Sequence, residues 1–165
     1  WPHRFALELT VCLRGDRLDV ELAVNNTGDS AFDFMAALHT YLRVAEIEAV
    51  RLTGLRGCRY EDFPTGAMRI DEEDAVRIDS EVDRIYYGVT SALQLGEAQR
   101  RLRIEAANFP EVVVWNPWQE KAAAMADLAP GDFRRFLCVE AALIGRPMLL
   151  ASGEQWWGRQ TLIAG

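Results

Sequence analysis

The first part of the chain alternates apolar and polar side chains on both sides of a tight turn. Between residues 5 and 13 the apolar side chains take the odd positions, and between residues 18 and 24 they take the even positions. Arg14-Gly15-Asp16 separates the two runs. Alternation with a period of two on either side of a glycine-containing turn predicts a β-hairpin with one apolar face.

Short apolar runs continue along the rest of the chain. A turn-rich segment, Asn25-Asn26-Thr27-Gly28-Asp29, leads into Phe32 and Phe34 and indicates a third strand. Further strand candidates lie at residues 49–52, 83–87, 102–106, 112–115, 136–143 and 156–163, whereas residues 119–128 alone have a helical composition. No internal repeat or linker is visible. We therefore predict an all-β fold, an antiparallel β-sandwich, formed as a single domain over residues 1–165.

Composition and charge narrow the possible classes of function. The chain has 165 residues, half of them hydrophobic, which is enough for a sizeable core. A formal charge of -7 and dispersed arginines disfavour a nucleic-acid surface. No apolar run is long enough to span a membrane and no secretory leader pattern is visible, so we expect a cytoplasmic protein that does not bind membranes. Three widely spaced cysteines, Cys12, Cys58 and Cys138, disfavour a disulfide framework or a zinc site.

Two titratable side chains interrupt apolar runs. His39 lies within residues 34–42, and Glu140 lies within residues 136–143. A carboxylate is rarely buried without a partner, so Glu140 is either paired locally or a reactive group. Imidazole exchanges protons near neutral pH, so His39 is either a hydrogen-bonded core histidine or a general acid. Taken together, the two residues predict an acid and base pair that converges on a substrate.

Aromatic and amide residues cluster in Trp115-Asn116-Pro117-Trp118. The tryptophans can pack on the core where a strand ends, or they can form the walls of a sugar cleft, and the two interpretations are compatible. Asp83 opens another candidate strand, where a surface ion pair is the simplest interpretation. Arg14-Gly15-Asp16 matches an adhesion motif, but the tip of a hairpin explains these three residues.

The order and spacing of these segments resemble those of a known family. The segments are Ala36-Ala37-Leu38-His39-Thr40-Tyr41-Leu42-Arg43-Val44, Glu81-Val82-Asp83-Arg84-Ile85-Tyr86, Val113-Val114-Trp115-Asn116-Pro117-Trp118 with Lys121-Ala122, and Cys138-Val139-Glu140-Ala141-Ala142. They are similar to segments of the glucose-6-phosphate 1-epimerases, the hexose-6-phosphate mutarotases of the aldose 1-epimerase (galactose mutarotase-like) superfamily. The similarity covers nearly the whole chain and matches the C-terminal part of the family's members.

The resemblance implies a supersandwich fold and roles for three residues. His39 would be the general acid on the ring oxygen of the pyranose, and Glu140 would be the general base on the anomeric hydroxyl, so that ring opening and reclosure exchange the α and β anomers. Asp83 would bind sugar hydroxyls. The substrate would be a hexose 6-phosphate, and no metal or other cofactor is implied. On chemical grounds we expect the acid and base on opposite sides of the sugar, in a partly dry site that raises the pKa of Glu140.

The resemblance also implies what this chain lacks. Members of the family are longer on the N-terminal side, where they supply further strands and polar residues that hold the substrate. Arg43 and Lys121 are the candidates here for contacts to the 6-phosphate. Absent strands would leave open sheet edges, so we expect some self-association. The alternative to an enzyme is a non-catalytic carbohydrate-binding or regulatory β-sandwich.

Overall fold

Two antiparallel sheets form the body of the molecule, and the computed structural model describes all of residues 1–165. Sheet A has the strand order β1 (Phe5–Arg14), β2 (Arg17–Asn26), β13 (Gln155–Ala164), β10 (Arg101–Ala107), β9 (Leu93–Gly96) and β5 (Arg51–Thr53). Sheet B has the order β3 (Phe32–Leu38), β12 (Phe136–Leu150), β11 (Glu111–Asn116), β8 (Val82–Tyr87), β6 (Arg59–Asp62) and β7 (Ala67–Ile70), and β4 (Tyr41–Arg43) also pairs with β12. The predicted all-β sandwich is confirmed.

The predicted hairpin forms the start of sheet A. β1 and β2 pair in antiparallel register, with Leu9 opposite Leu22, and Gly15 at the turn has a φ of 58°. This left-handed backbone conformation favours glycine because a side chain with a Cβ atom is strained there. The alternation read from the sequence therefore places one row of apolar side chains on the face that sheet A turns toward sheet B.

The core between the sheets has two unequal parts. A cluster of 18 buried residues fills the end where β5 and β9 lie over β6 and β8. A cluster of 7 buried residues fills the other end, where β2 and β13 lie over β3 and β12. Within β12, Leu137 and Val139 belong to the larger cluster. Their neighbours Cys138 and Glu140 point to the opposite side, since successive side chains of a strand alternate between faces.

Sheet A extends beyond sheet B at the end formed by β1 and β3. The apolar row of β1, which shares the inner face with Val24 and Trp156, is exposed along its length: Phe5, Leu7, Leu9, Val11 and Leu13. Between the free edges of the two sheets lies an open groove of about 480 Å³, lined largely by apolar residues that include Trp1, Phe34 and Met35. At this end the sandwich is not closed.

Several elements differ from the sequence-based prediction. The helix, α1, spans Trp118–Ala123 rather than residues 119–128, and short 3-10 helices occupy Ile47–Ala49 and Asp132–Arg135. The helix ends after less than two turns, and so short a helix gains little from cooperative propagation. A hydrogen bond from the Met125 amide to the Ala122 carbonyl forms the turn that follows it. Strands β4, β6, β7 and β9 were not predicted because three or four residues are too few to show alternation. No helix has the length and apolar character needed to cross a membrane.

Candidate active site

The two residues that the sequence singles out lie opposite each other in sheet B. β3 and β4 pair with β12 in one continuous register, with Leu38 opposite Ala141 and Tyr41 opposite Cys138. His39, in the gap between β3 and β4, therefore lies across from Glu140. The Nε2 atom of His39 is 3.2 Å from the Oε1 atom of Glu140. Residues far apart in the sequence thus meet on one face of the sheet, as the acid and base hypothesis requires.

Glu140 is nearly dry, whereas His39 faces solvent. The exposed fraction is 7% for the side chain of Glu140 and 52% for that of His39. Burial, and after it the negative charge of Asp83, raises the pKa of Glu140 from 4.5 to about 7. The direction of the shift is the one expected for a partly dry site. A carboxyl group with a pKa near neutrality can accept and release a proton at physiological pH.

The direct contact differs from the arrangement expected on chemical grounds, in which the sugar separates the two groups. In the structure the imidazole and the carboxyl group touch. The ring oxygen and the anomeric hydroxyl of a pyranose are attached to the same carbon. An acid and a base that lie side by side at one edge of the sugar can therefore reach both oxygens.

Asp83 lies on the same face of sheet B. It is opposite Trp115 on β11, which in turn is opposite Cys138 on β12. Because residues directly opposite one another share a face, Asp83 and Glu140 project to the same side. The half-buried carboxylate of Asp83 also accepts a contact of 3.4 Å from the Nζ atom of Lys121. All three site residues predicted from the sequence are thus gathered on the outer face of sheet B.

Two aromatic side chains flank the imidazole. Tyr41 stacks on His39 with ring centroids 5.0 Å apart, and Trp115 meets His39 edge-on at 5.8 Å. Trp118, by contrast, packs against Phe133 and the larger core cluster. The core interpretation therefore holds for Trp118. Trp115 lies beside His39 on the outer face, where a role as the wall of a sugar cleft stays a prediction. Tyr41 was not singled out from the sequence, although its position two residues after His39 in an extended segment was a usable signal.

The two phosphate candidates differ in their surroundings. Lys121 is held by acidic side chains, with its Nζ atom 2.8 Å from Glu81 Oε1 in addition to the contact with Asp83. Arg43 ends β4 opposite Phe136 and is exposed. Its side chain lies on the same side of the extended segment as those of His39 and Tyr41. Of the two cations, Arg43 is therefore the one less engaged by acidic side chains.

One further cluster bears on metal binding. His39, Cys138 and Glu140 offer nitrogen, sulfur and oxygen atoms that all lie within 4.8 Å of one another. Burial, and after it the charge of Glu140, raises the pKa of the Cys138 thiol well above its usual range. Within this cluster the imidazole of His39 and the carboxyl group of Glu140 are in direct contact at 3.2 Å, so an ion held by all three residues would have to enter between them.

Comparison with known proteins places the chain in a family. The family model described as aldose 1-epimerase matches residues 1–162. A relative from Cenchrus ciliaris, provisionally named as a glucose-6-phosphate 1-epimerase, is 36% identical over 99% of this chain and 52% of its own length. A relative from Escherichia coli K12 with the same provisional name is 27% identical over 86% of this chain and 47% of its own length. The chain spans about half the length of these curated relatives.

A solved structure shows the same fold. The crystal structure of a provisionally assigned mutarotase from Salmonella typhimurium superposes with a TM-score of 0.90 at 24% sequence identity. The alignment covers 100% of this chain and 55% of that chain. The fold is thus that of the galactose mutarotase-like sandwiches, and the sequence match extends over almost every residue. The chain belongs to the aldose 1-epimerase family.

Proposed function

We propose that this protein interconverts the α and β anomers of hexose 6-phosphates, glucose 6-phosphate above all, by acid and base catalysis. The observation that carries the proposal is the contact of 3.2 Å between the exposed imidazole of His39 and the buried carboxyl group of Glu140. Near neutral pH such a pair offers one group that takes a proton and one that gives a proton. Membership in the aldose 1-epimerase family supports this assignment.

The proposed reaction begins with ring opening. The carboxylate of Glu140 takes the proton of the anomeric hydroxyl while protonated His39 donates a proton to the ring oxygen, and the bond between C1 and the ring oxygen breaks. The product is the open-chain aldehyde. Rotation about the C1–C2 bond then presents the other face of the carbonyl, and the reverse proton transfers close the ring. Each proton transfer group contributes on the order of 10²- to 10⁴-fold in rate.

The rest of the outer face supplies the proposed substrate contacts. Asp83 accepts hydrogen bonds from sugar hydroxyls and thereby orients the ring. The exposed faces of Tyr41 and Trp115 offer apolar surfaces on which C–H groups of a sugar pack. Arg43 contacts the phosphate, with Lys121 as the second cation within reach. The names of the Cenchrus and Escherichia relatives support a phosphorylated hexose as the substrate. Since sugar phosphates are retained inside cells, the reaction would take place in the cytoplasm.

The test is anomer exchange measured by saturation-transfer NMR on glucose 6-phosphate at equilibrium. We expect the wild-type chain to accelerate exchange, and Glu140→Gln, which keeps size and hydrogen bonding but cannot take the proton, to lose about 10²- to 10⁴-fold of that acceleration. In parallel measurements, the acceleration of exchange should be weaker for unphosphorylated glucose if Arg43 contacts the phosphate. Exchange at the uncatalysed rate with both proteins would instead favour a non-catalytic sugar-binding sandwich.

We also propose that residues 1–165 act as one domain and self-associate through β1. The strand is ten residues long, carries no proline, and exposes its apolar row at a sheet edge, which natural proteins usually protect. Antiparallel pairing of β1 with β1 of a second copy would extend sheet A and keep both apolar rows on its inner face. Together with the open groove beside it, this row offers a continuous surface of the kind that stable interfaces bury.

Light scattering coupled to size exclusion tests this second proposal. Leu9, which is 61% exposed in the middle of the β1 row, is replaced by lysine, and Ile70, which is 63% exposed on the far edge strand β7, provides the matched control. We expect the wild-type and Ile70→Lys proteins to associate as concentration rises, and Leu9→Lys to remain monomeric. A wild-type protein that stays monomeric at high concentration would contradict the proposal.

A further inference from the structure

A buried glutamine connects the two sheets directly behind the candidate site. Gln160 lies in β13 of sheet A, is 2% exposed, and points inward at a position where its neighbours along the face, Trp156 and Leu162, are apolar. A buried amide must satisfy its donors and acceptors within the protein. Gln160 does so with groups of sheet B rather than of its own sheet.

Both polar atoms of the Gln160 side chain bind the segments that carry the acid and the base. Its Oε1 atom accepts a hydrogen bond of 2.5 Å from the hydroxyl of Thr40, 120 residues away in the sequence. Its Nε2 atom donates a hydrogen bond of 2.9 Å to the carbonyl of Val139. Thr40 directly follows His39, and Val139 directly precedes Glu140. One amide therefore contacts the neighbours of both proposed catalytic residues.

Backbone hydrogen bonds tie His39 and Thr40 only weakly to β12. β3 ends at Leu38 and β4 begins at Tyr41, so the regular ladder along β12 is interrupted at His39 and Thr40. In the gap, the amide of Val139 reaches the carbonyl of Thr40 at 3.3 Å, which is long for a backbone hydrogen bond. Of the two residues in the gap, His39 and Thr40, only Thr40 directs its side chain, through the hydroxyl, into the sandwich.

The side chain of Gln160 is not packed tightly on every side. A cavity of about 250 Å³ lies next to it, bordered also by Val139 and Ala106. Strand pairing fixes the gap at its two ends, at Leu38 and Tyr41, and within the gap the two hydrogen bonds of Gln160 add to the long bond from Val139. Loss of either bond would let His39 move relative to Glu140.

We propose that Gln160 is a positioning residue that sets the distance between the imidazole of His39 and the carboxyl group of Glu140. This proposal rests on the acid and base function proposed above. Gln160 touches no substrate, so its removal changes the turnover rate and leaves substrate affinity nearly intact. A displacement of about 1 Å at the reacting groups costs on the order of 10²-fold in rate.

Anomer exchange of glucose 6-phosphate in four variants provides the kinetic test. Gln160→Met removes both hydrogen bonds at similar size, Thr40→Val removes the hydroxyl alone, and Thr40→Ser retains it. Asn26→Leu is the matched control, because Asn26 is also 2% exposed and donates two hydrogen bonds, to Ser30 and Leu150, at the opposite end of the sandwich. We expect kcat to fall about 10- to 100-fold in the first two variants with KM changed less than about threefold, and to be preserved in the other two.

Imidazole NMR separates this proposal from the proposed function. The chain has only two histidines, so His3→Gln assigns the signals of His39. We expect the His39 signals to shift in Gln160→Met and Thr40→Val and to stay in place in Thr40→Ser and Asn26→Leu, whether or not the wild-type chain is active; if Gln160→Met does not fold, Thr40→Val decides. Unchanged His39 signals in the folded variants, or an equal shift in Asn26→Leu, would overturn the positioning role. Absence of exchange in the wild-type protein would overturn only the enzymatic function.

Discussion

The inner and outer faces of sheet B are built from the same strands but have opposite characters. On the inner face, Val112, Val114 and Leu137 are apolar and almost fully buried. On the outer face, the intervening positions carry the titratable and aromatic residues of the candidate site, among them Trp115 and Glu140. Because strand side chains alternate, neighbouring residues in the sequence belong to different environments. Residues that stabilise the fold and residues of the candidate site therefore alternate along the strands of this sheet.

Glu140 is the exception that connects the two faces. It is on the outer face yet is buried to the same degree as the core residues. Burial disfavours the charged carboxylate and so raises the pKa of Glu140. The raised pKa suits a general base but does not stabilise the fold. The comparison thus predicts that substitutions on the outer face change activity, that substitutions of apolar residues on the inner face change stability, and that Glu140 changes both.

The largest effect is expected for His39 on the outer face. His39→Asn keeps a polar side chain next to Glu140 but removes the group that donates a proton to the ring oxygen. We expect anomer exchange to slow by about 10²- to 10⁴-fold, with a change in unfolding free energy below about 1 kcal/mol because the side chain is half exposed. Exchange rates and urea unfolding of the same samples check the prediction. A large loss of stability would break the separation of the faces.

An inner-face substitution should give the reverse pattern. Leu137 is 0% exposed and belongs to the larger core cluster. Leu137→Ala removes buried apolar atoms and leaves a cavity, so we expect the free energy of unfolding to fall by about 2–5 kcal/mol. Below its melting temperature the variant should keep kcat within about threefold of wild type. Denaturant unfolding and anomer exchange are the two measurements, and a collapse of kcat in the folded variant would contradict the comparison.

The pH dependence of stability tests the dual nature of Glu140. Its pKa in the folded state, about 7, is raised above the ordinary value of 4.5. As the pH is raised, the unfolded chain therefore loses this proton before the folded chain does. The contribution of the protonated carboxyl group to the stability of the fold is complete below pH 4.5 and is lost as the pH rises through 7. Glu140→Gln lacks this loss. We expect it to gain at most about 3 kcal/mol relative to wild type between pH 4.5 and pH 8.

Urea unfolding of the two proteins at both pH values provides the measurement. The wild-type protein should lose stability relative to Glu140→Gln on going from the acidic to the alkaline sample. A difference between the proteins that does not change with pH would show that the carboxyl group is not held in its neutral form by burial.

The smallest effect is expected for Asp83. Asp83→Asn keeps a hydrogen-bonding side chain at the site. It removes the negative charge that adds to the effect of burial on the pKa of Glu140 and that holds Lys121. We expect KM for glucose 6-phosphate to rise about 3- to 10-fold, and kcat to change less, because the residue binds hydroxyls and transfers no proton. A loss as large as that of His39→Asn would instead place Asp83 among the groups that move protons.

The sequence alone was sufficient for much of this description. Alternation around Gly15 predicted the first hairpin, and repeated short apolar runs predicted an all-β sandwich, since these patterns depend only on neighbouring residues. Glu140 stood out because a carboxylate inside an apolar run is costly wherever that run is placed. The short strands β4 and β6 escaped prediction because too few residues carry the pattern, and the end of α1 was misplaced because helix ends depend on local turns.

The tertiary structure decided how these residues meet. Alternation tells which side of a strand a residue faces, but the partner strand and its register depend on contacts between distant parts of the chain. Only the pairing of β3 and β4 with β12 places His39 against Glu140, and only the closing of sheet A over sheet B places Gln160 behind them. The sequence by itself thus determined the fold class and the unusual residues. Packing across the sandwich decided their distances, their burial and the pKa of Glu140, because each of these depends on neighbours that the linear order does not specify.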